Sequence, residues 1–84
     1  MITNQSVLRT RLINLLHRLG KDFGQKLKGE TLINLKITHQ DIADHLGASR
    51  ESVTVTISQL RKQKAIRMDV RKIIVPDMRG LLKS

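Results

Sequence analysis

Cysteine, tryptophan and tyrosine are absent from this chain, its one aromatic residue is Phe23, and its one proline is Pro76. The lack of cysteine excludes disulfides, thiolate metal sites and a cysteine nucleophile within the sequence. A single aromatic side chain disfavours recognition of single strands, which relies on stacking bases against aromatic rings. The longest unbroken apolar run is Ile73–Val75, which is far too short to cross a bilayer.

Basic residues, by contrast, are in clear excess. The chain has 16 Lys and Arg against 7 Asp and Glu, which is a formal net charge of +9 over 84 residues. Residues 1–49 carry seven bases and four acids, a net of +3, whereas residues 50–84 carry nine bases and three acids, a net of +6. This excess indicates a polyanionic partner that meets the C-terminal part. The length predicts a single domain over residues 1–84.

Two patterns describe the first half of the chain. Leucines spaced by three and four residues form one helical stripe and predict a helix over residues 4–20 that Gly20 ends. The stripe consists of Leu8, Leu12, Leu15, Leu16 and Leu19. The basic stretch Phe23–Gly29 is then predicted to turn. Apolar residues that alternate with polar ones predict a half-buried strand over residues 31–37.

The pattern over residues 38–63 predicts two helices joined by a tight turn. Thr38 suits the N-cap of the first helix, and Asp41 lies close enough to complete the cap. Gly47 suits the left-handed backbone that the corner needs, and Ser49 suits the N-cap of the second helix. The apolar residues expected to pack the two helices together are Ile42, Leu46, Val53 and Ile57. This combination is typical of a helix-turn-helix.

Residues 64–84 are predicted to form a basic wing and a C-terminal turn. Strand patterns at 66–68 and 72–75 flank a predicted hairpin tip at 69–71, and Pro76 ends the second strand. Asp77 is then expected to cap a last helical turn. The basic residues of the wing are Arg67, Arg71 and Lys72. The predicted fold is α+β, a winged helix-turn-helix that is mostly α with a small antiparallel β wing.

The stretch from Ile37 to Thr54, which reads ITHQDIADHLGASRESVT, closely resembles the DNA-binding signature of the Crp/Fnr family of bacterial transcription regulators. Leu60 and Ile66 continue the pattern, and the ending IIVPD at residues 73–77 follows it too. The resemblance covers nearly the whole chain. It implies sequence-specific binding of duplex DNA, with the second helix of the helix-turn-helix in the major groove.

Members of this family are usually longer, with an N-terminal β-barrel effector domain and a long dimerisation helix. We therefore expect the chain to be an isolated C-terminal DNA-binding domain that lacks the effector domain, with a natural stand-alone protein as the alternative. The resemblance implies double-stranded DNA as the partner and a homodimeric parent regulator. We also expect RNA polymerase as a further partner, a monomeric fragment, no membrane and no cofactor. Because Met1–Asn4 has no secretory leader, we expect a cytoplasmic location, at the bacterial nucleoid.

The resemblance also assigns roles to individual residues. Arg50 matches the base-reading arginine, whose guanidinium bonds guanine O6 and N7, and Glu51 matches the adjacent base-reading glutamate. Val55 stands where many members have a second base-reading arginine, which leaves contact with a thymine methyl. Thr54 completes the predicted base-contacting set. The residues predicted to contact phosphates are Thr38, His39, Gln40, Ser49, Ser52, Ser58, Arg61, Lys62, Lys64, Arg71 and Lys72. Phosphate contacts of this kind set register rather than sequence.

A second departure from the family pattern lies just before the wing. Lys64 and Ala65 replace a Gly-Leu pair that is common there, which adds charge near the DNA and thins the core.

Catalytic chemistry has no support in the sequence. It contains no nucleophile beside a base, no phosphate-cradling glycine loop and no metal-ligand cluster, and His39 and His45 are spaced unsuitably for a helical metal pair. We therefore predict no enzyme activity, no catalytic residue and no metal. The alternatives to specific DNA binding are a winged helix used as a protein-interaction module and a non-specific nucleic-acid binder.

Overall fold

The computed structural model describes residues 4–83 and the side chains of residues 7–83. This part of the chain forms α1 (Asn4–Phe23), β1 (Gly24–Leu27), β2 (Glu30–Ile33), α2 (His39–Leu46), α3 (Arg50–Lys62), β3 (Arg67–Asp69), β4 (Lys72–Val75) and α4 (Met78–Leu82). The strands form one antiparallel sheet in the order β1-β2-β4-β3. Two helices that meet at a tight turn and lead into a hairpin confirm the predicted winged helix-turn-helix.

Helix α1 is longer than the sequence predicts, because Gly20 does not end it. The helix continues to Phe23, and the chain leaves it at Gly24. A Cβ on Gly24 would lie 2.0 Å from the Gly20 carbonyl oxygen, so only glycine allows this sharp exit into β1. A Cβ on Gly20 would lie 2.6 Å from the Met78 side chain, so Gly20 instead serves the contact between α1 and α4.

The strand predicted over residues 31–37 is confined to Glu30–Ile33, and the predicted turn over Phe23–Gly29 contains β1. Strand β1 lacks an alternating pattern because all four of its residues are exposed. Leu35 and Ile37 still pack against the core. They lie beyond β2, where the Leu35 N–H donates to the Ile33 carbonyl at 2.8 Å.

The helix-turn-helix has the caps that its sequence indicates. The Thr38 hydroxyl accepts a hydrogen bond from the Asp41 N–H, and the Asp41 carboxylate accepts one from the Thr38 N–H, both at 3.0 Å. Gly47 adopts φ +65° at the corner, in the left-handed region that favours glycine. Ser49 accepts from the Ser52 N–H at 3.1 Å and so caps α3.

The wing is joined to a larger sheet than expected, since β4 pairs with β3 on one side and with β2 on the other. Asp69 pairs with Lys72 and belongs to β3, so the hairpin tip consists of Val70 and Arg71 alone. Asp77 takes the N-cap position of α4, although its side chain forms no capping hydrogen bond there.

One apolar core joins the sheet to the helices. The leucine stripe of α1 lies in it, with Leu19 only partly buried. Its largest fully buried side chains include Leu12, Leu16, Ile33, Ile42, Ile57, Leu60, Ile66, Ile73 and Leu81. Burying a leucine or isoleucine side chain contributes about 1.5–3 kcal/mol. The core therefore fixes the position of α3 relative to α2 and the wing.

Candidate nucleic-acid interface

Helix α3 turns one face to the core and the opposite face outward. Its buried residues are Val53, Thr56, Ile57 and Leu60. On the opposite face, residues at i, i+4, i+7 and i+11 align in a single row along the helix. This outer row consists of Glu51, Val55, Ser58 and Lys62, all of them exposed. It presents a carboxylate, an apolar side chain, a hydroxyl and a cation in succession, a mixture suited to the donors, acceptors and methyl groups of base edges.

Thr54 of α3 lies next to the outer row and faces the start of α2. Thr54 Oγ1 lies 2.8 Å from His39 Nδ1, in a partly buried hydrogen bond between the two helices. Burial lowers the pKa of the His39 imidazole below its usual range, and the positive charges of Arg50 and Arg61 lower it further. The flank of α3 beside His39 is thus cationic, and an anion placed there would relieve the repulsion.

The predicted base-contacting residues differ in how free they are to contact a partner. Arg50, Glu51 and Val55 are exposed, whereas Thr54 is half-buried and already bonded to His39. Within residues 7–83, the Arg50 guanidinium forms no hydrogen bond or ion pair. Arg50 is therefore free to donate all of its N–H groups to an external acceptor.

The hydroxyls at the start of α3 are arranged around the same end. The Ser49 hydroxyl donates to the Ser52 hydroxyl at 2.8 Å while it accepts the Ser52 N–H. Because Ser52 receives the hydrogen of Ser49, its own O–H is left to donate outward. The helix dipole adds partial positive charge at this end.

The start of α2 has fewer free groups than the sequence indicates. The Thr38 N–H is taken by Asp41, so Thr38 retains only its hydroxyl hydrogen for an outside acceptor. Gln40 donates to the Asp44 carboxylate at 2.8 Å along α2. A phosphate contact by Gln40 would have to compete with that bond or use its second N–H.

The basic residues that follow α3 are divided between free and engaged side chains. Arg61, Lys62, Lys64 and Arg71 are exposed. Lys72 is half-buried, and its Nζ donates to Asn34 Oδ1 at 2.7 Å. Lys64 adopts φ +60°, in the left-handed region that favours glycine.

Arg67, one of the three basic residues of the wing, does not contribute a free charge to it. Its guanidinium makes two hydrogen bonds across the sheet to the Glu30 carboxylate, at 2.5 and 2.7 Å. The hydrogen bond from Arg67 lowers the pKa of Glu30, so the carboxylate stays ionised and neutralises Arg67. The partner is 37 residues away in the sequence, and the strand order that joins them is not visible in a local pattern.

Val70 is a residue of interest that the sequence patterns did not single out. It is 81% exposed at the hairpin tip and adopts φ +47°, a conformation that is costly for a β-branched residue. The absence of glycine and asparagine from a two-residue turn was the available signal.

Comparison with known families places this geometry among regulators. Residues 10–84 match the model of the Crp-like helix-turn-helix domain. The global nitrogen regulator of Nostoc sp. (strain PCC 7120) is 38% identical over 66 residues, which are 79% of this chain and 30% of that protein. The anaerobic regulatory protein of Bacillus subtilis (strain 168) is 35% identical over 72 residues, 86% of this chain and 30% of that protein. The chain thus spans about a third of the length of the curated relatives it matches.

Solved structures agree with the sequence matches. A transcriptional regulator of the CRP/FNR family from Thermus thermophilus superposes with a TM-score of 0.75 at 31% identity, over 92% of this chain and 41% of that one. The CO-dependent transcription factor CooA from Carboxydothermus hydrogenoformans superposes with a TM-score of 0.81 at 26% identity, over 89% of this chain and 35% of that one.

None of the helices in residues 4–83 is long and apolar enough to cross a membrane. In the same part of the chain, no three His, Asp or Glu residues are grouped so that they could hold a metal ion.

Proposed function

This chain belongs to the Crp/Fnr family of transcription regulators as a Crp-like helix-turn-helix domain, and we propose that it binds duplex DNA sequence-specifically through α3 in the major groove. The observation that carries the proposal is the exposed face of α3. Its outer row and the adjacent Arg50 are free of the intramolecular bonds that engage Thr54, Gln40 and Lys72.

Arg50 is the main base reader in this proposal. An arginine in the first turn of a helix is disfavoured by the helix dipole, so its presence needs a reason outside the fold. The planar guanidinium bonds guanine O6 and N7 together, and no neighbour within the described chain competes for it. Glu51, next to it in the outer row, accepts from cytosine N4 or adenine N6.

Val55 gives the chain its own half-site preference. Its side chain is 43% exposed in the middle of the outer row, where a base-reading arginine would stand in many relatives. A valine donates no hydrogen bond and favours a thymine methyl. The proposal therefore includes a thymine at the base pair that Val55 meets.

Phosphates on either side of the groove are held by groups around α3. The Ser52 and Thr38 hydroxyls and the His39 flank contact one strand, and Arg61, Lys62, Lys64 and Arg71 supply charge at the other end. Contacts of this kind supply affinity that falls with salt and carry little sequence information.

The proposal is tested by selecting bound duplexes from a random pool and then comparing Arg50→Ala with Arg79→Ala on the recovered site. Arg79 is a matched control because it is an exposed arginine of α4, outside the helix-turn-helix. We expect Arg50→Ala to cost about 1–3 kcal/mol on the recovered site and to flatten the preference at one base pair. A pool that yields no common sequence would overturn the proposal.

The intact regulator is proposed to be a homodimer on near-palindromic DNA, and the 84-residue chain to be a monomer. The apolar stripe of α1 supports the second point, because Leu8, Leu12, Leu15 and Leu16 are buried in the core of their own domain. Sedimentation of the chain at several concentrations is expected to give one monomeric species. A tight dimer would contradict this part.

The remaining parts of the proposal rest on the relatives, which are transcription regulators. We infer that the chain has no catalytic activity, that its parent contacts RNA polymerase, and that it works in the bacterial cytoplasm at the nucleoid. A pull-down of RNA polymerase by the promoter-bound parent protein tests the second of these inferences.

A further inference from the structure

The hydrogen bond between His39 and Thr54 joins the start of α2 to the exposed side of α3. Thr54 Oγ1 lies 2.8 Å from His39 Nδ1, and both side chains are half-buried. Either atom can be the donor, because a histidine ring nitrogen donates when it carries a hydrogen and accepts when it does not. The direction of this bond therefore decides what the Thr54 hydroxyl can offer to a partner outside the chain.

The Thr54 hydroxyl has a single hydrogen to place. If Thr54 donates to Nδ1, its oxygen presents only lone pairs outward and can accept a hydrogen bond. If Nδ1–H donates to Thr54, the hydroxyl hydrogen is free to donate outward. In the major groove an acceptor matches the amino group of cytosine, whereas a donor matches O6 and N7 of guanine. The two directions of one internal bond thus correspond to different bases.

The second ring nitrogen of His39 links this direction to a phosphate. Nε2 forms no hydrogen bond within residues 7–83, so it is available to the phosphate that His39 is predicted to contact. A bond to a phosphate oxygen requires a hydrogen on Nε2. Because a neutral ring has only one hydrogen, Nδ1 must then accept from Thr54. The charged ring has a hydrogen on both nitrogens, and in that form Nδ1 donates.

The surroundings of His39 make its charge depend on the partner. The charged groups that act on the ring are Arg50 and Arg61. They share one row of α3 with Thr54, because residues 50, 54 and 61 stand at i, i+4 and i+11. Burial and these two positive charges lower the pKa of His39 in the free chain. A bound phosphate acts in the opposite direction, so the ring can change its charge in the complex within the range where histidine titrates.

We propose that His39 is a positioning residue that sets the base preference of Thr54, so that a neutral ring makes Thr54 accept from cytosine and a charged ring makes it donate to guanine. On protonation the added proton goes to Nδ1, and the hydroxyl hydrogen of Thr54 turns from Nδ1 toward the base. This inference rests on the proposed function, because it needs α3 in the major groove and a phosphate at the start of α2. It adds a pH-dependent preference to the fixed preferences of Arg50 and Val55.

The test compares duplexes that differ at one base pair of the site recovered from the random pool. That base pair is the one at which Thr54→Val, which replaces the hydroxyl by a methyl group, loses its preference. Two duplexes have cytosine or guanine there on the same strand, and their affinities are measured at about pH 8 and about pH 5. We expect the ratio of affinities to favour cytosine at the higher pH and to move toward guanine by about five-fold at the lower pH, the contribution of one hydrogen bond. Effects of pH on the whole chain cancel in this ratio.

Two variants and one spectrum assign the effect to the ring. His39→Gln should make the ratio independent of pH. His45→Gln is the matched control, because His45 is an exposed histidine of the same helix, and it should keep the full change. Nitrogen-15 NMR of the imidazole in the complex with the cytosine duplex should show a hydrogen on Nε2 alone at about pH 8 and on both nitrogens at about pH 5. This measurement uses the parent chain and does not depend on how a variant folds.

The outcomes separate this inference from the proposed function. The inference alone would be overturned by a ratio that does not change with pH in the parent chain, or by a neutral ring with its hydrogen on Nδ1 in the complex. It would also be overturned if Thr54→Val kept every preference of the parent chain, or if the change with pH survived in His39→Gln. Loss of preference at every base pair in the parent chain would overturn the proposed function and this inference together.

Discussion

The sheet contains two hairpins whose turns share a backbone geometry and differ in the residues that adopt it. The β1–β2 turn consists of Lys28 and Gly29 at φ +52° and +82°, and the β3–β4 turn consists of Val70 and Arg71 at φ +47° and +67°. Glycine removes the steric cost from half of the first turn. The second turn contains no glycine, and one of its residues is β-branched.

The two turns also lie at opposite ends of the sheet. The first precedes Glu30 at the start of β2, whereas the second precedes Lys72, which bonds to Asn34 beyond the end of β2. The turn with glycine lies at the end of the sheet where β2 begins, and the turn without glycine lies at the end where β2 stops and the chain continues to α2. Unfavourable local sequence at an exposed turn is typical of positions whose side chains serve a partner and not the fold.

The largest expected effect comes from giving the wing the sequence that its turn prefers. Val70→Asn together with Arg71→Gly removes two left-handed strains, each of about 1–2 kcal/mol, so the chain should gain about 2 kcal/mol in free energy of unfolding. Urea denaturation followed by circular dichroism measures the change. A loss of stability would show that the side chains of Val70 and Arg71 stabilise the fold. It would contradict the backbone strain assigned to this turn.

The reverse substitution should impose the same strain on the other hairpin. Nothing lies within 4 Å of a Cβ built on Gly29, so Gly29→Val costs only backbone energy. We expect a loss of about 1.5 kcal/mol in the free energy of unfolding and no change in DNA binding. The same denaturation assay applies, with Lys28→Ala as the control. An unchanged stability would contradict the strain assigned to the wing as well.

A smaller effect is expected at Lys64, which extends the comparison to the turn that leads into the wing. Its φ of +60° is left-handed, and its exposed side chain is predicted to contact a phosphate. Lys64→Gly should raise the free energy of unfolding by about 1 kcal/mol. It should also reduce the salt slope of DNA binding by about one. If the salt slope of the variant equals that of the parent chain, Lys64 makes no phosphate contact. Its left-handed backbone would then have no functional explanation.

The smallest effect concerns pH and compares His39, at the start of α2, with His17 in α1. The pKa of His39 is lowered in the free chain by burial and by Arg50 and Arg61, and a phosphate nearby would raise it. Binding should therefore take up protons, and affinity should rise by about three-fold as the pH falls below neutrality. His39→Gln should remove this dependence, whereas His17→Gln, beside Gly24 and Lys26, should preserve it. Identical pH profiles for the two variants would contradict the phosphate contact.

Local signals predicted the parts of the fold that depend on neighbouring residues. The leucine stripe of α1 and the caps at Thr38 and Ser49 all act within one or two helical turns, and each lies where its pattern indicates. The prediction that Gly20 ends α1 was wrong, because glycine also allows close packing, here against Met78. Strand β1 has no hydrophobic alternation, so its pairing with β2 left no pattern to recognise.

The resemblance indicated which helix carries the candidate side chains, but the sequence did not indicate the hydrogen bonds that engage some of them. The resemblance identified Arg50 and Glu51, and the structure places both on the exposed face of α3. It did not indicate that Thr54 is bonded to His39 or that Glu30 neutralises Arg67, because these partners depend on how helices cross and strands are ordered. The strain at Val70 likewise required the backbone of the finished hairpin.

The most direct test of the central claim is a nitrogen-15 NMR titration of the chain with the duplex recovered from the random pool. We expect the largest amide shifts at the start of α2, in the first half of α3 and at Val70 and Arg71. The amides of β1 and of the Lys28–Gly29 turn should stay in place. Shifts concentrated on β1 and that turn, or an unperturbed α3, would contradict a duplex held by the helix-turn-helix and its wing.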